Sequence, residues 1–305
     1  MTSGFDLHQA VTNQIVAAIE AGAGQWVMPW HRKKGGNARP RNVETGQFYK
    51  GMNVVSLWVS GQASGFEQSL WGTFKQWKEK GASVRKGEKG TLIVFYKTFE
   101  REEEDSEGES SAGKRKGFMA APSWVFNVAQ VEGYAMAAPE AVPEEAKPFI
   151  DEPAIECAIR ATLADIRIGG AQAAYFPLQD YIAMPAKEGF RGTATSTPEQ
   201  SYYSTLLHEL AHWSGADARL SRKLSMQKKD YAFEELIAEL SAAFSCAELG
   251  ISSEPRADHA QYLASWLEVL KADKHAIFKA AGFATKATDY VLSFGRASVL
   301  HAQAA

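Results

Sequence analysis

The stretch His208-Glu209-Leu210-Ala211-His212 constrains this chain more than any other. Two histidines four apart lie one turn from each other on a helix and face the same way. That spacing lets both imidazoles reach one Zn²⁺ at about 2.0–2.1 Å. Glu209 falls beside the ligand face, where it can take a proton from a metal-held water. Local signals support the helix. Thr197 suits the N-cap, Pro198 the first helical position, Gln200 the far side of a capping box, and Gly215 the C′ position.

A third protein ligand is needed, and a second helix offers one. In Phe233-Glu234-Glu235-Leu236-Ile237-Ala238-Glu239-Leu240, the residues Leu236, Leu240, Ala243 and Ala247 make an apolar stripe. Glu235 and Glu239 stand i,i+4 on a neighbouring face. Glu235 is the expected third ligand, and Glu239 the expected carboxylate behind a ligand histidine. Glu234 competes for the ligand role. The bland alternative makes all three solvated surface charges. Upstream, Asp180 to Pro185 has strand character. It reads either as a sheet edge that could hold an extended peptide beside the metal, or as an ordinary core strand. His8, His31, His259, His275 and His301 have no metal spacing around them.

Charge divides the chain. Residues 31 to 99 hold 13 Lys or Arg against 4 Asp or Glu, while the whole chain carries a formal net charge of −3. The acidity lies in residues 100 to 134 and beyond 135. Such asymmetry suggests an anionic partner for one half only. Ala135 to Pro153 holds four prolines among Ala and Glu and reads as an extended linker. The expected division is therefore 1–134, a linker at 135–153, and 154–305.

The first half opens with a helix, signalled by Leu7, Val11, Ile15, Ala18 and Ile19 at helical period. Another is expected around Thr73 to Lys80. Strand-like runs at Thr91–Tyr96 and Trp124–Val128 flank Arg101 to Gly117, a charged, Ser- and Gly-rich piece that reads as a solvated hairpin tip. Six of eight tryptophans lie before residue 125, interleaved with Arg39, Arg41, Lys50, Lys75, Lys78, Arg85, Lys86 and Lys89. Cations for phosphates and flat π surfaces for unpaired bases are what single-stranded DNA binding requires. The candidate contacts are Arg41, Lys50, Trp71, Lys75, Trp77, Arg85, Lys86 and Lys89. Tryptophans in a small domain are also the usual core residues, so composition leaves both roles open. In Val84-Arg85-Lys86-Gly87-Glu88-Lys89-Gly90, the two glycines allow a tight turn that would aim three bases at a phosphate.

Composition closes other routes. A hydrophobic content of 45% and a charged content of 23% are globular values and exclude wholesale disorder. No run of 18 apolar residues suggests a membrane span, and the N-terminus lacks a secretory signal pattern. Cys157 and Cys246 read as buried thiols of a cytoplasmic protein.

Taken in order, these segments resemble the ArdC-type antirestriction proteins of conjugative plasmids. In the first half the resemblance rests on Pro29-Trp30, Thr45-Gly46-x-x-Tyr49-x-Gly51-x-Asn53, Trp71-x-Thr73-Phe74-Lys75-Gln76, Gly81 to Gly90, and Val125-Phe126-Asn127-x-x-Gln130. In the second it rests on His208 to Trp213, Arg219-Leu220, Tyr231-Ala232-x-Glu234-Glu235-Leu236, and Trp266-Leu267-x-x-Leu270-Lys271-x-Asp273. The resemblance implies an α+β protein of two domains. The first would be an α+β domain that binds single-stranded DNA, and the second a zincin-like metallopeptidase domain. It also implies protection of incoming plasmid DNA from host restriction. The second half is similar, too, to repressor-cleaving metallopeptidases, whose ligand helix carries Glu-x-x-Ala-Asn. Here Glu235 and Ala238 match and Glu239 replaces the Asn. The alternative function is a zinc-dependent protease that cuts a host regulatory or restriction protein, with DNA binding serving only for recruitment.

Overall fold

The computed structural model describes residues 6–22, 39–101, 115–134, 152–192, 196–222, 228–251 and 259–303. Helix α1 (Leu7–Gly22) buries Leu7, Val11, Ile15 and Ile19, as its periodicity predicts. The first half continues with β1 (Arg41–Asn42), α2 (Met52–Ala63), β2 (Leu70–Gly72), α3 (Phe74–Glu79), β3 (Ser83–Val84), β4 (Thr91–Arg101), β5 (Arg115–Asn127) and β6 (Val131–Glu132). Four strands form a sheet in the order β1-β2-β5-β4, and β3 pairs with β6. Helix α3 occupies the expected place, started by a capping box between Thr73 and Gln76.

β4 and β5 form one long antiparallel pair, from Thr91 opposite Val125 to Arg101 opposite Arg115. The hairpin is therefore longer than its apolar runs suggest, and residues 102–114 at its tip lie outside the described residues. β4 is an edge strand of this sheet. Its open side is covered at one point by α2: Asn53 donates to Val94 O at 2.8 Å, and Val94 N–H donates to Asn53 Oδ1 at 2.8 Å.

The second half begins with α4 (Glu152–Ala161). Pro153, assigned to the linker by composition, is thus the second residue of a helix, where its missing N–H costs nothing. Residues 135–151 lie outside the described residues. Strands β7 (Asp165–Ile168), β8 (Ala174–Phe176) and β9 (Tyr181–Met184) form a sheet in the order β7-β9-β8. β9 pairs on both sides, so the segment around Asp180 to Pro185 is a central strand and offers no edge. Four helices complete the chain: α5 (Pro198–Ser214), α6 (Lys228–Leu249), α7 (His259–Ala272) and α8 (Ala276–Gln303). Among the described residues no helix is long and apolar enough to cross a membrane.

The largest hydrophobic cluster spans both halves. It joins Val11, Ile15 and Ile19 of α1 and Val54, Val55 and Trp58 of α2 to Leu236, Leu240 and Phe244 of α6, Leu270 of α7 and Ile277 of α8. Trp58 and Phe244 meet with ring centroids 5.5 Å apart. A second cluster packs α4, β9 and α5 against Cys246 and Val291. Cys246 is buried, whereas Cys157, on the outer side of α4, is exposed.

Candidate metal centre and nucleic-acid interface

Helix α5 forms as its sequence signals predict. Thr197 accepts from Gln200 N–H, Gln200 reciprocates, and Pro198 sits in the first turn. Gly215 ends the helix with φ −78°, in the right-handed region, so it does not serve as a left-handed C′ residue. Its role is space. A Cβ there would lie 2.7 Å from Arg222 Nη2 and 3.1 Å from His212 O.

α5 and α6 pack together and bring the expected ligands to one point. One ligand atom each from His208, His212 and Glu235 falls within 4.8 Å of the others. The two Nε2 atoms are 3.1 Å apart. Glu235 Oε2 is 3.5 Å from His208 Nε2, and Glu235 Oε1 is 3.6 Å from His212 Nε2. Ligand atoms about 2 Å from a shared ion stand roughly 3–3.5 Å apart, so these donors fit one divalent metal. His208 and Glu235 are buried. Burial pushes the Glu235 carboxyl up, but the His208 hydrogen bond and the two imidazoles outweigh it and hold it at about 2.

Each histidine has a carboxylate behind it. His208 Nδ1 is 3.7 Å from Glu239 Oε2, the pairing anticipated for Glu239. His212 Nδ1 is 3.4 Å from Glu234 Oε1. Glu234, the competitor for the ligand role, therefore stands behind His212 and not among the ligand atoms. All three glutamates are buried, which rules out solvated helix charges. Arg222 fixes Glu234, donating from Nη2 to Oε1 at 2.7 Å and from Nε to Oε2 at 3.2 Å. The same guanidinium donates to Ala211 O at 2.6 Å and Ser214 Oγ at 3.0 Å. Burial raises the Glu234 carboxyl, and hydrogen bonds from His212 and Arg222 reverse this and leave it lowered.

Glu209 is buried next to the ligand pair and faces β8. Its Oε2 accepts the Tyr175 N–H at 2.9 Å. The strand at the site's rim is therefore β8, an edge strand, and not the segment the sequence suggested. Its neighbour Asp180 is held by Arg219 at 2.5 and 3.0 Å, and Tyr175 Oη donates to Asp180 Oδ1 at 2.8 Å. Sequence reasoning misses Arg222 and Tyr175 as parts of this site, and names Asp180 only as the start of the segment read as a possible edge. Only Arg219 carried a signal, as part of the family pattern. A lone arginine ten residues past His212 has no spacing rule to announce it.

The basic half sorts its candidates less kindly. Trp71 and Trp77 are 1% and 0% exposed. Trp71 packs with Leu57, Ile93 and Val125. Trp77 donates from Nε1 to Phe126 O at 3.0 Å and packs edge-on to Tyr134. No base can stack on either, so both are core residues. Arg39 is also internal: it pairs with buried Glu248 of α6 and donates from Nε to Tyr49 O. Lys50 is exposed but pairs with Asp289 of α8 at 3.2 Å. Arg85 donates to Ala129 O at 2.6 Å and Glu88 at 2.7 Å, which commits it to its own loop. Lys75 is exposed and 3.6 Å from Glu79. Arg41 is exposed and stacks on Phe48, 4.9 Å from the ring centroid. Lys86 and Lys89 are exposed with no acidic partner among the described residues. Trp26 and Trp30 lie outside the described residues.

A buried two-histidine, glutamate-backed site on paired helices, beside a small sheet, defines a zincin-like metallopeptidase domain, and residues 153–283 match that family. Residues 5–126 match the N-terminal domain of the anti-restriction factor ArdC. The chain belongs to the ArdC antirestriction family. It is 38% identical to the antirestriction ArdC protein of plasmid R388, solved without metal, with a TM-score of 0.77 over 96% of this chain and 99% of that one. Against the Mn(II)-bound form of that protein the TM-score is 0.73, at 37% identity over 95% and 98% of the chains. An uncharacterized protein of Sinorhizobium fredii, y4eC, is 42% identical over 94% of this chain and 91% of its own length. DNA primase TraC of Escherichia coli is 32% identical over 96% of this chain, which spans only 20% of that protein.

Proposed function

We propose that this protein binds single-stranded DNA through its first half and protects incoming plasmid DNA from host restriction in the cytoplasm. Its second half is a metal-dependent peptidase-type site with His208, His212 and Glu235 as ligands and Glu209 as general base. The carrying observation is the meeting of His208, His212 and Glu235 at one point, with buried Glu209 beside His208 on the same helix, in a chain of the ArdC family. Zinc is the ion favoured by two imidazoles and one carboxylate in hydrolases. The Mn(II) in the R388 relative supports a divalent ion more broadly.

A bound divalent ion supplies Lewis acidity and a more acidic water. The chain's own residues do the rest. Glu209 takes the proton at its carboxylate, in reach of the site because α5 turns it toward β8. Glu239 and Glu234 keep the two rings aimed inward. The Tyr175 N–H is held by Glu209, which sets that carboxylate at the free edge of β8, where an extended peptide of a host protein would run.

A plasmid-transfer assay into a restricting host tests the whole reading. Wild-type protein is expected to protect, and a Lys86→Ala, Lys89→Ala double variant to fail. Protection that survives removal of both lysines but is lost with Glu209→Gln would instead assign protection to peptide cleavage. Identical host-protein fragment patterns with wild-type and Glu209→Gln protein would reject proteolysis.

A further inference from the structure

We propose that Trp124, Lys86 and Lys89 form a subsite that takes one base and its flanking phosphates of single-stranded DNA. The inference rests on the DNA-binding reading above and names where that binding is done.

Register sets the direction of Trp124. On β5, Val125 and Asn127 turn inward and are buried, so the alternate residues Pro122 and Trp124 face outward. Trp124 lies opposite Leu92 of β4 and is 51% exposed. Among the described tryptophans Trp58, Trp71, Trp77 and Trp266 are all buried to within 1%. A half-bare indole is therefore an exception in this fold, and a large apolar ring left in water asks for a partner.

The loop before β4 meets β5 at the base of that side chain. A Cβ on Gly90 would stand 3.0 Å from Trp124 Cβ and 3.2 Å from the Phe126 ring, so the bare backbone permits the close approach. The loop is pinned from inside. Buried Gln130 donates from Nε2 to Lys89 O at 3.0 Å and to Glu88 Oε2 at 2.9 Å. Arg85 ties Glu88 to Ala129 O, and Gly87 makes the turn with φ +89°. These contacts consume the charges of Arg85 and Glu88 within the loop. Lys86, at the turn, and Lys89, next to Gly90 in the chain, stay exposed on this pinned loop, with no acidic partner among the described residues.

An exposed π face, and two uncommitted cations on the loop that meets its strand, match an unpaired base and its phosphates. A duplex hides its base faces, so this arrangement discriminates for single strands. An apolar protein partner would find two unpaired ammonium groups at the rim, which makes it the poorer occupant.

Fluorescence anisotropy of the full-length protein with labelled oligothymidylate, at two salt concentrations, decides the matter. Trp124→Ala is expected to weaken binding about tenfold or more at both concentrations, and Trp124→Phe to retain most of it. Lys86→Ala and Lys89→Ala should each flatten the log K against log[salt] slope by about 0.7. Binding to a labelled duplex should not respond to Trp124→Ala. Wild-type affinity in Trp124→Ala would overturn the subsite while leaving DNA binding intact. No binding by the wild type would overturn the DNA reading itself. Equal losses in Trp124→Ala and Trp124→Phe, with unchanged melting temperatures, would also reject stacking.

Discussion

Arg222 and Glu234 form a buried two-point ion pair, with Nη2 to Oε1 at 2.7 Å and Nε to Oε2 at 3.2 Å. Removing the cation alone leaves a carboxylate in a low-dielectric site with only His212 to answer it. Arg222→Ala should therefore cost about 3–5 kcal/mol in urea unfolding. Adding Glu234→Gln to it should restore part of that loss, because the stranded charge goes with it. A double variant no more stable than Arg222→Ala would show that the guanidinium matters for packing and not for the pair.

Metal affinity should follow the carboxylates behind the histidines. Competition against a chromophoric chelator reads it without any peptide substrate. Glu239→Gln and Glu234→Gln should each weaken divalent-metal binding about 10–100-fold. Glu235→Ala, which removes a ligand, should weaken it further. If Glu239→Gln bound metal like wild type, Glu239 would not be orienting His208.

Gly215→Ala sets two effects against each other. Gly215 has ordinary right-handed φ, so alanine there would gain about 0.4–1 kcal/mol through the unfolded chain. Its Cβ, however, would fall 2.7 Å from Arg222 Nη2 and 3.0 Å from Cζ. Overpacking of that kind costs about 1–3 kcal/mol, so net destabilisation is expected, together with weaker metal binding through the displaced Glu234. A raised melting temperature would mean that Arg222 yields freely.

The two thiols should separate cleanly. Cys157 is exposed and should react with a thiol reagent in the native protein, while buried Cys246 should react only after unfolding. Burial pushes the Cys246 thiol up to about 12, and burial does the same to the Tyr203 hydroxyl. Both groups hold their protons longer folded than unfolded. Their contribution is thus complete below about pH 8.5 and is lost as pH rises toward about 12. Urea midpoints measured across that interval should fall. A flat profile, or two fast native thiols, would contradict the burial of Cys246.

The helix of His208 and His212 was legible because every signal in it is local. Thr197, Pro198 and Gln200 start it, and the His208–His212 spacing needs no tertiary information. Glu235 could be found because α6 keeps one helical phase from Phe233 to Ala247. Strand position was not legible. Tyr181 to Met184 looks the same whether it is an edge or a centre, and only its pairing with both β7 and β8 decides. Tryptophan roles were hidden for a similar reason. Trp71 and Trp77 fall among the bases of residues 31 to 99 and Trp124 beyond them, yet strand register and helix packing bury the first two and leave the third exposed. Glu234 and Glu235 are adjacent residues, and it took the position of Arg222, twelve residues back, to part their roles.

Helix α6 carries Glu234, Glu235 and Glu239 toward the histidines while Leu236, Leu240 and Phe244 pack among residues of α1 and α2. Inserting or deleting a single residue within it would rotate everything beyond by about 100°. Either the glutamates or the apolar residues would then point the wrong way. The helix has one phase to satisfy two sets of neighbours, so a change of its length would break one of the two. Exchanging one half with a relative requires that the incoming partner keep the same helical phase.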